Sequence, residues 1–169
     1  MRSSWNTSRR IGSSLVVVVL TLCGLAAPAA AVNQVPFTAT GTAVITSVTN
    51  LPGGLVQLNC NVSGTATHLG NVSGPLTRIQ DHQGNFGSTA VFVGANGDSV
   101  FLTINGHFES SGGSGKCVLT STGTYTVTGG TGSFVNATGS GTITTQIDQC
   151  AGTATGTYTG TISQPNSGG

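Results

Sequence analysis

Between Thr153 and Ile162 every odd-numbered residue is threonine, and the even-numbered ones are Ala154, Gly156, Tyr158, Gly160 and Ile162. A strict period of two fits a β-strand, whose successive side chains point to opposite faces. On a helix the same residues would scatter around the circumference. Threonine is β-branched and polar, so it suits a pleated face in water. Residues 117–128 follow the same rule: Cys117, Leu119, Ser121, Gly123, Tyr125 and Val127 share one face, while Val118 and five threonines take the other. No stretch beyond residue 31 has helical apolar spacing with a cap.

Alternation of this kind predicts eight strands, near 37–49, 55–68, 72–80, 88–94, 98–109, 117–128, 138–147 and 152–163. The connections carry turn residues: Leu51-Pro52-Gly53-Gly54, Gln83-Gly84-Asn85, Ala95-Asn96-Gly97-Asp98 and Ser110 to Gly115. Short strands, a threonine face and no helix leave a closed barrel or a sandwich. Closure has an advantage here. It removes sheet edges in a chain with few charged gatekeepers.

Residues 1–31 read as a secretory signal peptide. Arg2, Arg9 and Arg10 are basic, Leu15 to Leu25 is apolar, and Ala29-Ala30-Ala31 is a small-residue cleavage pattern. Either a general or a twin-arginine export route fits. The mature chain keeps two basic residues, Arg78 and Lys116, against Asp81, Asp98, Glu109 and Asp148. That balance argues against nucleic acid as a partner, and no membrane span is expected after cleavage. Residues 32–163 form one domain, and 164–169 read as a disordered tail. Export favours a disulfide among Cys60, Cys117 and Cys150. Cys117 opens one strand, and the chain returns beside it to reach Cys150 at the same rim. This predicts a Cys117–Cys150 bond, with Cys60 left as a buried thiol. No C-x-x-C pair is present, so neither a metal site nor a cofactor is expected.

Glycine concentrates at Gly129-Gly130-Thr131-Gly132-Ser133-Phe134-Val135-Asn136-Ala137-Thr138-Gly139-Ser140-Gly141, a tight connection in which Phe134 and Val135 are expected to pin the loop to the core. The stretch Val127 to Gly139 resembles a signature of the allene oxide cyclase/dirigent superfamily, in particular its small secreted bacterial members. Gly64-Thr65-Ala66-Thr67-His68-Leu69-Gly70 and Ala95-Asn96-Gly97-Asp98 leading into Val100-Phe101-Leu102 carry the same resemblance. It implies an all-β fold: a single closed, antiparallel, eight-stranded barrel with a central cavity, in a family whose members are often dimers or trimers. A homo-oligomer is therefore expected. The resemblance also implies either isomerase chemistry of the cyclase type or dirigent-like guidance of a reaction. Fold alone does not choose between them.

His68, Tyr125 and Tyr158 are the candidate ligand-binding residues. If no bulge intervenes, His68 shares the strand parity of Val56, Leu58, Cys60 and Val62 and would enter the lumen; otherwise it ties Leu69-Gly70 to a neighbouring strand end. His107 and Glu109 lie two apart, a spacing that permits a base and its orienting carboxylate. However, Val100, Leu102, Ile104 and Phe108 take the opposite parity, which puts the pair on a solvated face. Arg78, Asp81 and His82 cluster at a strand end, as a loop salt bridge or as a polar rim. Asn61, Asn71 and Asn136 head N-glycosylation patterns. No catalytic elbow, zinc helix or phosphate loop is present. The leading expectation is an exported barrel that binds a small apolar or amphipathic molecule in its lumen. The alternatives are an isomerase, which would need His68, Asn59, Asn61 or Glu109 in the cavity, and a structural protein that presents its threonine ladders to a partner.

Overall fold

The computed structural model describes residues 33–109 and 117–165. The expected signal peptide, the Ser110–Gly115 connection and the end of the expected tail lie outside these. Eight strands follow in chain order: β1 Gln34–Leu51, β2 Leu55–Ala66, β3 Gly70–Gln80, β4 Asn85–Gly94, β5 Ser99–Glu109, β6 Val118–Thr131, β7 Gly139–Asp148 and β8 Thr153–Ser163. Each pairs antiparallel with the next, and β8 pairs with β1, so the sheet is a closed barrel. The barrel anticipated from the sequence is the fold of this chain.

Threonines face out on the two long alternating strands, and the even residues of β8 and odd residues of β6 face in. Pairing sets the outward threonines in rows across strands: Thr65, Thr40, Thr157, Thr144 and Thr122 are successive partners from β2 through β1, β8 and β7 to β6. Neighbouring hydroxyls approach one another, as at Thr40 and Thr65, 3.4 Å apart. Inside, Phe37, Tyr125, Tyr158 and Phe92 form a chain of edge-to-face aromatic contacts with ring centroids 6.0, 5.8 and 5.4 Å apart.

Tyr125 fits because its cross-strand neighbours on the next two strands carry no side chain. Gly141 and Gly160 are cross-strand partners on β7 and β8. A Cβ on Gly160 would lie 2.6 Å from the Tyr125 hydroxyl oxygen and nearer still to the Ser140 carbonyl. Gly41 with Gly64, and Gly106 with Gly123, repeat this inward pairing on other strands.

The barrel's two ends differ. The turns β2–β3, β4–β5 and β6–β7 gather at one end, where Leu69, Val100, Phe134 and Ile162 are buried. The Asp98 carboxylate reaches from the β4–β5 turn to the Ser133 N–H, 3.3 Å away, and holds the β6–β7 connection in place. Phe134 pins that connection as expected, but Val135 does not: it is 50% exposed. The loop turns after Phe134 through Asn136, whose φ is 62°. At the other end, the Cys117–Cys150 disulfide joins the start of β6 to the β7–β8 turn, with Cα atoms 5.3 Å apart. This is the predicted pairing, and Cys60 is the buried free thiol.

Strand ends move by up to three residues from the sequence reading, and two of the differences matter. β2 stops at Ala66, so His68 sits in the β2–β3 turn and not on a strand. Gln164, assigned to the tail, is tied back: its N–H donates to the Asn33 carbonyl at 2.7 Å and its side-chain oxygen accepts from the Asn33 amide at 2.8 Å.

Two predictions follow from this core. Gly160→Ala drives a methyl group into backbone and Tyr125 together, and should cost about 2–3 kcal/mol of unfolding free energy in urea; a loss below about 0.5 kcal/mol would refute the steric reading. Burial pushes Tyr125 and Tyr158 up to about 12. They are the chain's two tyrosines, so phenolate absorbance reports on both. An unfolded tyrosine ionises near 10. The folded chain therefore holds its phenol protons more tightly, and this stabilisation is fully present below pH 10. Stability should fall by about 1.4 kcal/mol per pH unit for each tyrosine as pH rises from about 10 to about 12. Phenolate formation near pH 10 in the folded protein would contradict the packing.

Candidate functional site

The lumen holds a cavity of about 360 Å³. Its wall is largely apolar, with Ala39, Ile45, Leu58, Leu76, Phe92 and Ile143 among the lining residues. Asp81, His82 and Gly84 from the β3–β4 turn and Gln149 from the β7–β8 turn also line it. The cavity therefore reaches the disulfide-bearing end. Towards the opposite end the interior is filled by Phe37, Tyr125 and Phe134, all 2% exposed or less.

Five inward-facing side chains bring polar atoms to the wall itself: Cys60 from β2, Arg78 and Gln80 from β3, Thr145 from β7 and Tyr158 from β8. Strand alternation places them. Cys60 and Leu76 are cross-strand partners, as are Leu58 and Arg78, so Cys60 and Arg78 share the inward face of the β2–β3 pair. Arg78 is 8% exposed. Its guanidinium carbon stands 4.2 Å from the centre of the Phe86 ring and 5.6 Å from that of Phe108, a cation–π arrangement strengthened by desolvation. Its Nε donates to the Ser88 hydroxyl at 3.3 Å. Burial lowers its pKa, while nearby Cys60 and Tyr158 act in the opposite direction. Burial likewise raises the Cys60 pKa, and the Arg78 charge opposes that rise. The thiol is thus held protonated and is a poor nucleophile.

The candidates named from sequence fall into two groups. Tyr158 lines the cavity, and Tyr125 lies beneath it as part of the filled floor. His68 does not enter the lumen, which corrects its place among the ligand-binding candidates; the other placement holds, for it is exposed in its turn at φ 67° and its Nε2 donates to the Pro36 carbonyl at 3.1 Å, tying the turn to the start of β1. The turn reverses the chain before residue 68, so strand parity no longer applies there. His107 and Glu109 are exposed, as the alternation implied. His107 Nδ1 meets the Asn85 side-chain oxygen at 3.2 Å, and Glu109 accepts from the Thr122 hydroxyl. Asn59 faces outward, bonded to Ser47 and Thr77, and Asn61 is exposed. Asn71 and Asn136 are exposed as well.

Asp81 and His82 do form a rim, but the expected salt bridge with Arg78 is absent. Asp81 turns back on its own loop instead. The Asn85 side-chain amide, aided by the backbone N–H groups of Asn85 and Gln83, holds its carboxyl below the usual range. Arg78 as a lumen residue was missed, although a signal existed: it shares strand parity with Val72 and Leu76. One acidic cluster with ligand geometry, Cys117, Asp148 and Cys150, is spent on structure. Its sulfurs are bonded to each other, and its carboxylate accepts from the N–H groups of Cys150 and Ala151.

No family model matches the chain, and no curated protein matches it. Among solved structures, the chain is similar to the pterocarpan synthase dirigent protein GePTS1, at 14% sequence identity and a TM-score of 0.47, over 79% of this chain and 87% of that one. The closed barrel itself stands on the strand pairings of this chain.

Proposed function

We propose that this protein is an exported barrel that binds a small, largely apolar molecule in its lumen. The observation that carries this reading is the cavity of about 360 Å³, open at one end and walled mainly by aliphatic and aromatic side chains with a few polar groups. Ligand sites of small molecules have this size and composition. The disulfide fits an oxidising compartment, which supports export. The outward face is rich in threonine, where a lipid-facing barrel carries an apolar band.

Binding is favoured over isomerase chemistry by what enters the cavity. His68, Asn59, Asn61 and Glu109, the residues an isomerase reading needed, all lie outside it. Among the described residues, no two side chains of the lining are hydrogen-bonded to each other as a base and its partner.

The test is titration with N-phenyl-1-naphthylamine, a neutral probe that fluoresces in apolar surroundings. Saturable one-to-one binding is expected, and Ala43→Phe, which fills the lumen from β1, should weaken it about tenfold or more. Absence of saturation, or equal binding by a folded Ala43→Phe variant, would overturn the proposal.

A further inference from the structure

The apolar wall does not explain Arg78. Its side chain makes one hydrogen bond among the described residues, from Nε to Ser88, so the N–H groups on both Nη atoms have no protein acceptor. Nor, among the described residues, does a carboxylate pair with it. Asp81 is bound to Gln83 and Asn85, Asp98 to Asn96 and Ser133, Glu109 to Thr122, and Asp148 to Cys150 and Ala151. These are the chain's four acidic residues. The guanidinium carbon lies over the rings of Phe86 and Phe108, which neighbour its charge without offering an oxygen acceptor. The Tyr158 hydroxyl, in the same lining, makes no hydrogen bond to protein among the described residues.

We propose that the lumen ligand carries one carboxylate and that Arg78 binds it through its two Nη groups, with a compact aromatic or alicyclic body against Phe92, Phe108 and Tyr158. This rests on the cavity being a ligand site. A guanidinium presents a rigid planar fork that matches a carboxylate and makes charge-assisted bonds to it. A monoanion is matched by the single cation of the lining; a phosphate dianion would leave a buried negative charge without a partner. The body is compact because Phe37, Tyr125 and Phe134 close the far end and shorten the lumen.

The matched pair 2-naphthoate and 2-naphthamide tests this by displacement of N-phenyl-1-naphthylamine from the full mature chain. The two differ in charge and hardly in shape. Naphthoate should bind at least tenfold more tightly than the amide. Arg78→Gln should bring the two affinities within about twofold, and Arg78→Lys, which keeps the charge and loses the fork, should give an intermediate ratio. Equal affinities of acid and amide for the wild-type chain would overturn the carboxylate assignment, with or without a foldable variant. Binding of the neutral probe in that same experiment would leave the cavity reading standing. Failure of the neutral probe and both naphthalenes to bind would overturn both. Tighter binding of a long-chain fatty acid than of naphthoate would overturn the compact body.

Discussion

Pairing of β8 with β1 is the constraint to which the other features answer. Once the sheet closes, every strand has one face in a lumen of fixed width, and each inward position must share that space with the positions opposite. Alternation alone cannot satisfy this. An interior wide enough for two tyrosines and several phenylalanines needs places where the wall is bare. Gly141 and Gly160 provide one, as a side-chain-free pair beneath Tyr125. The period-two pattern and the glycine richness are thus two halves of one packing solution. Threonine keeps the outside wet without charge, and glycine makes room inside for rings. The same closure removes free edges, so among the described residues a chain with so few charged side chains presents no unpaired edge strand.

Closure also makes the two ends of the barrel independent, and they have been put to different uses. The three stretches that carry the sequence resemblance all meet at the filled end. Leu69 of the β2–β3 turn packs where a side chain on Gly94 would stand, and Asp98 of the β4–β5 turn holds the glycine-rich connection after β6. In this chain those residues fit together to seal a floor. The cavity opens at the opposite end, among the turns β3–β4 and β7–β8, whose residues contributed nothing to the resemblance. A likeness concentrated in the floor speaks to architecture and is silent about what enters at the mouth.

This division explains which features could be read in advance. Strand number, the outward threonines, the inward tyrosines and the Cys117–Cys150 pairing all follow from alternation and from two adjacent antiparallel strands, which are local or nearly local facts. Of the two placements open to His68, the lumen one extended that alternation two residues beyond Ala66, where the chain had already turned, and the tie to a neighbouring strand end is the one found; positive φ at a non-glycine residue leaves no periodic trace that could have chosen between them. Arg78 failed in the opposite way. Its parity with Val72 and Leu76 pointed inward, but the nearby Asp81 offered an ordinary surface pairing, and charge preference outweighed parity. What the sequence lacked was knowledge that Asn85 and the backbone of its own turn would satisfy Asp81 completely.

Arg78 is therefore the residue where packing and function part company. Moving a cation out of water costs several kcal/mol even after local relaxation. Two aromatic faces and one serine hydroxyl offset part of that. A leucine in its place would lie against Phe86 and Phe108 without any such cost, and would suit a barrel selected for stability alone. The chain instead keeps one of its few charges inside, turned towards a space that the glycine and alanine positions have left open. A fold that spends stability on an unbalanced charge beside an unfilled volume is arranged for something that supplies both the missing volume and the missing charge.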